Sequence, residues 1–220
     1  MHWKVIMCFV LSSTVQADLK SVDLNDFMAE TQKMSESYDS MKMVWWLPTE
    51  YWEVVGESDP TMTDEIIKDV TDLVEKYMVV AVVDGVISPF GSVSYEPADK
   101  IRTGVSLKDS EGTVYYPLAD TELDPDLKIL FQSMKPVFEA MLGEMGSNFH
   151  FFAFENKSNK GQSLAQATEK GSFSLVFSGD TYEWNLPLSS LVKKKMCPVD
   201  GKKVNGTWVY CPWHGKKLTE

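Results

Sequence analysis

The chain is poor in the side chains that catalysis draws on most. Its 220 residues include one arginine, three histidines and three cysteines. A single arginine rules out a cluster of guanidinium forks for binding phosphate or carboxylate. Three cysteines are too few for a disulfide-dense scaffold. No Gly-x-Ser-x-Gly elbow, metalloprotease helix motif, calcium loop or glycine-rich phosphate loop occurs. No segment reaches the roughly 18 uninterrupted apolar residues of a membrane span. The acidic excess, a net charge of −11, argues against nucleic acid or an anionic lipid face as partner. What is present is ordinary globular composition, 44% hydrophobic and 24% charged. At this length a chain buries roughly 70% of its unfolded surface, so the body needs neither metal nor disulfide to fold.

Met1 to Ala17 reads as a secretory leader. Lys4 is its basic start, Val5 to Leu11 its apolar stretch, and Val15-Gln16-Ala17 its small-residue cleavage pattern before Asp18. Removal of the leader takes Cys8 with it and leaves Cys197 and Cys211 as an even pair in a compartment that permits disulfides. The sequence therefore predicts export, periplasmic or secreted. Asn156-Lys157-Ser158 and Asn205-Gly206-Thr207 would be glycosylation acceptors in a eukaryotic secretory route.

The mature chain divides by charge. Residues 18–192 carry 30 acidic and 13 basic side chains, whereas 193–220 hold seven lysines against Asp200 and Glu220. An acidic body thus precedes a basic tail, which either folds back on the body or offers an anion-binding surface. Three helices are legible in the body. Leu24, Phe27, Met28, Met34, Tyr38 and Met41 fall at helical spacing over 24–41. A second helix carries the stripe Ile66, Ile67, Val70, Leu73, Val74 and Tyr77, with a possible Thr61 to Asp64 capping box. The third starts at the cap Asp124 with Pro125 behind it and stops at Gly143, with Pro136 expected to bend or restart it. Met78 to Val83 reads as a buried central strand ended by Asp84 and Gly85. Strands are also expected at 92–96, 101–108, 113–117, 149–155, 172–177 and 182–186, with a hairpin at 109–112. Helices around short strands, without regular alternation, predict α+β with a mixed or antiparallel sheet.

Candidate sites in the body are few. Trp45, Trp46, Tyr51 and Trp52 concentrate large rings beside Glu50 and Glu53. Core packing is the favoured use of these rings, and a ligand or partner patch is the alternative. The carboxylate pairs Asp124 with Asp126 and Glu50 with Glu53, or His150, would be needed for a hydrolase. Asp124 and Asp126 are better explained as helix N-terminal charges, and His150, flanked by Phe149, Phe151 and Phe152, as a core or rim histidine.

The tail holds the sharpest pattern. Cys197-Pro198-Val199-Asp200-Gly201 and Cys211-Pro212-Trp213-His214-Gly215 are two copies of Cys-Pro-x-(Asp/His)-Gly, separated by a stretch read as a hairpin around Asn205-Gly206. Residues 196–218 resemble the paired knuckles of a zinc ribbon, in which each Cys-Pro-x-Cys-Gly turn supplies two thiolates. Here Asp200 and His214 stand at the second position of each knuckle. The resemblance implies Cys197, Asp200, Cys211 and His214 as a four-ligand zinc set, every member of a permitted type. The competing reading is a Cys197–Cys211 disulfide, worth about 3 kcal/mol by loop entropy, and export favours it. The functional expectation is an exported α+β protein that acts by binding a protein or small molecule or by a structural role. A hydrolase and a zinc-binding protein are the alternatives.

Overall fold

The computed structural model describes residues 19–219 apart from 36 and 38. The predicted leader lies outside the described residues.

The chain is α+β, as expected, and every strand pairing among the described residues is antiparallel. A five-stranded sheet is built on β3 (Tyr77–Ile87), which pairs with β2 (Ser40–Leu47) along one edge. Its other edge is shared by β4 (Val93–Tyr95) and β7 (His150–Glu155), and β1 (Gln32–Met34) extends the sheet beyond β2. A second sheet runs in the order β6 (Val114–Tyr115), β5 (Val105–Asp109), β8 (Gly171–Phe177), β9 (Asp180–Leu186).

Register explains how the layers are held. Trp45, Ala81 and Phe151 stand opposite one another across β2, β3 and β7, and Trp46, Val80 and Phe152 form the next row. Alternation sends the two rows to opposite faces. The Trp45 row meets the helices: Phe138 of α5 (Pro125–Leu142) lies 5.1 Å from Trp45, and Phe131 stacks on Phe151. The Trp46 row meets the second sheet, where Phe173 lies edge-on at 4.8 Å with Trp184 stacked behind it. The result is three layers, helices on the large sheet and the large sheet on the small one. Trp45 and Trp46 are 0% and 2% exposed, and Tyr51 and Trp52 are buried. The aromatic segment is therefore core, which corrects the alternative of a ligand patch at these four residues.

Several elements depart from the sequence expectation. The first helix is only α1 (Leu24–Thr31): Thr31 turns its hydroxyl back onto the carbonyls of Phe27 and Met28, and the chain leaves as β1. Thr49–Ser58 forms a helix, α2, behind Pro48. The next, α3 (Asp64–Val74), is capped by Thr63, whose hydroxyl accepts from the Ile66 N–H, rather than by Thr61. Residues 98–104 are helical as α4 (Ala98–Gly104), so the strand expected from 101 begins at Val105. The central strand does not end at Asp84 but continues to Ile87. The third helix starts and stops where expected, yet α5 runs through Pro136 as one element, with Pro136 on the exposed side. A short α6 (Glu144–Ser147) follows the Gly143 stop.

The chain closes on itself before the tail. Both oxygens of Glu30 on α1 accept from Ser189 and Ser190: Oε1 takes the N–H and hydroxyl of Ser189, and Oε2 those of Ser190. An ion pair from Lys194 to Asp26, 3.7 Å long, extends the clasp. Among the described residues no helix is long and apolar enough to cross a membrane.

Candidate metal centre

The tail folds into two knuckles that repeat each other bond for bond. In the first, the Cys197 N–H donates to the Lys202 carbonyl and the Gly201 N–H to the Cys197 carbonyl, both at 2.9 Å. In the second, Cys211 and Gly215 make the corresponding bonds to Lys216 and Cys211, both at 2.8 Å. The repeat follows from the sequence. Each turn must close with a left-handed residue, and Gly201 and Gly215 supply it at φ +70° and +62°. Each knuckle is the tip of its own short hairpin. β10 (Lys195–Met196) pairs with β11 (Lys203–Val204) around the first, and Tyr210 bridges to Lys217 around the second. This corrects the hairpin expected around Asn205-Gly206. That segment is a connecting turn in which the Asn205 side chain accepts from the Thr207 N–H and hydroxyl.

The knuckles bring three of the four expected ligand residues together. Cys197 Sγ lies 3.3 Å and Cys211 Sγ 3.5 Å from the same atom, Nδ1 of His214. The three donor atoms all lie within 4.8 Å of one another. Asp200 stands beside this group rather than in it. It contacts the Cys197 thiol, accepts from the Lys202 N–H at 3.2 Å and lies 3.8 Å from the Lys202 ammonium. Cys197 and Cys211 are buried free thiols. The disulfide that export favoured is not formed in this structure, and each sulfur lies within reach of the imidazole. With Val204 and Leu218 they make up the whole ribbon core.

The thiols differ in acidity. Burial opposes ionisation of Cys211, but the N–H of His214, the His214 ring and the N–H of Trp213 overcome it and bring the thiol down to about 7. At Cys197 burial prevails over the N–H groups of Asp200 and Val199, and with Cys211 and the Asp200 carboxylate beside it the thiol is pushed up. These amide contacts to sulfur are invisible in residue spacing. Their sequence signal is the proline after each cysteine and the glycine four positions on, which fix the turn.

The residues considered for hydrolysis do not share one cleft. Asp124 Oδ1 accepts from the Asp126 N–H at 2.9 Å, as an N-terminal cap of α5. His150 is half-buried on β7, its pKa lowered by burial and by Lys135. Burial raises the pKa of both Glu50 and Glu53 on α2. Glu50 lines a cleft of about 380 Å³ with Glu75, Lys76, Asn156 and Gln166, which His150 does not reach. The Asn156 amide is held there by the carbonyl of Glu75 and the N–H of Leu164.

Comparison with protein-family models, curated proteins and solved structures gave no match.

Proposed function

We propose that the C-terminal ribbon is a structural zinc centre, with Cys197, Cys211 and His214 as ligands and Asp200 as the carboxylate nearest the fourth position, in an exported protein that acts by binding or as a structural component rather than by turnover. The observation that carries this reading is the meeting of two sulfurs and one imidazole nitrogen from two hydrogen-bonded turns of one design. Zinc bonds of about 2.3 Å to sulfur and about 2.0 Å to nitrogen at tetrahedral angles set the sulfur to nitrogen edge at about 3.5 Å. The separations of 3.3 and 3.5 Å fit that edge. A metal needs thiolate, and the lowered pKa of Cys211 supplies one near neutrality. The ribbon also needs a staple, since a core of Cys197, Val204, Cys211 and Leu218 is too small to hold it alone.

Intact mass and metal analysis of the unreduced full chain, purified without chelator, tests the reading. One zinc per chain is expected, lost in Cys211→Ser and His214→Ala, with affinity falling about 10- to 100-fold in Asp200→Asn. A metal-free chain lighter by two hydrogens, with no titratable thiol, would establish the disulfide and overturn the zinc assignment.

A further inference from the structure

The ribbon carries exposed side chains that neither the Cys197, Cys211 and His214 group nor the small core employs, among them Tyr210 and Lys217, which bridge across the second hairpin. Trp213 is 69% and Tyr210 59% exposed, and Val209 stands open beside them. Trp208 meets Trp213 edge to face, with ring centroids 6.0 Å apart and planes at 64°. Lys202, Lys203, Lys216 and Lys217 are all exposed on the same two hairpins. Asp200 is the one acidic residue described in 193–219 and already faces Lys202 and Cys197. An exposed indole pair with an exposed phenol on so small a ribbon marks a contact site rather than a solvated face.

We propose that this face binds an acidic polysaccharide, with the indole and phenol rings against the apolar faces of its sugars and the lysine ammoniums against its carboxylates. Two features select that class. The two indoles form an open corner instead of a parallel slot, which suits a puckered sugar ring better than a flat base. The body beside the ribbon is strongly acidic, with 30 acidic against 13 basic side chains over 18–192. It repels a nucleic acid, which as a duplex carries a charge about every 1.7 Å, more than a chain whose charges are spaced by whole sugar rings. The proposal does not depend on zinc, because a ribbon stapled by a disulfide would present the same residues.

Calorimetric titration of the full chain with polygalacturonate, with neutral dextran and poly(dT) in parallel, tests it. Polygalacturonate is expected to bind, at least tenfold more weakly in 500 mM than in 50 mM salt. Trp213→Ala and the double variant Lys216→Glu with Lys217→Glu should each weaken it at least tenfold while metal content and thermal midpoint stay unchanged. Dextran and poly(dT) should bind at least tenfold more weakly than polygalacturonate. Tighter binding of poly(dT) would reassign the face to nucleic acid. Absence of polygalacturonate binding, or binding indifferent to both variants, would overturn the proposal. Zinc content measured on the same samples reports on the metal centre separately.

Discussion

Trp46→Ala tests whether the aromatic segment is the rivet between the two sheets. Trp46 is 2% exposed, lies edge-on to Phe173 at 4.8 Å and 6.3 Å from Trp184, and so touches both strands β8 and β9 from the opposing sheet. Truncating a buried tryptophan costs about 3 to 5 kcal/mol in transfer and cavity energy. For a chain of this size each kcal/mol lowers the thermal midpoint by about 2 to 4 °C, so a fall of about 6 to 20 °C is expected. The edge-to-face contact should appear separately as a coupling of about 0.5 to 1.5 kcal/mol in a cycle with Phe173→Ala. Thermal unfolding by circular dichroism, with urea melts to obtain the free energies, measures both. A midpoint lowered by less than about 2 °C would refute the reasoning, as would zero coupling, because either result means that the two sheets are not joined through this ring.

Two further predictions concern other joints of the fold. A Cβ on Gly206 would lie 2.2 Å from the Lys193 carbonyl oxygen and 2.7 Å from Val192 Cγ1, so Gly206→Ala should cost about 1 to 3 kcal/mol by overpacking. The loss should appear as faster hydrogen exchange at Val204 and Leu218, and wild-type protection there would contradict the close approach. At Asp84, burial raises the pKa above its ordinary 3.8, outweighing the opposing pull of Lys42 and the Ser178 hydrogen bond. Between 3.8 and that raised value the folded chain holds more protons than the unfolded one, so stability falls as pH rises through the window and stays lower above it. Asp84→Asn removes that fall. Its stability relative to wild type should therefore climb from pH 3 to pH 7, and parallel profiles would disprove the assignment. The raised Glu50 contributes the same sign to both proteins and cancels in the comparison.

Much of this architecture is legible in the sequence where local signals act alone. The apolar stripe of α3 and the β-branched run of β3 each carry their own period, and the Asp124 to Gly143 limits of α5 carry their own boundaries. The knuckles are legible for the same reason, since proline and glycine fix the turn without outside help. What escapes the sequence depends on distant partners. Asp84 reads as a strand end because a carboxylate is costly to bury, yet Ser178, 94 residues away, donates to it at 3.4 Å and the strand continues. The helix α2 hides because Trp45 to Trp52 reads as one aromatic cluster, although Pro48 divides it between a strand and a helix. In the two knuckles, spacing gives Asp200 and His214 equal standing. Only the fold shows that the imidazole reaches both sulfurs while the carboxylate meets Cys197 and is held by Lys202.

The carboxylate of Glu30 makes the opening helix and the approach to the ribbon a single mechanical unit. A chain cut before Ser189 would leave that anion facing away from four lost donors, so shortening the tail is felt at the other end of the molecule. A change that loosens α1 should therefore be felt at the root of the ribbon, and one that frees Ser189 and Ser190 should be felt at α1.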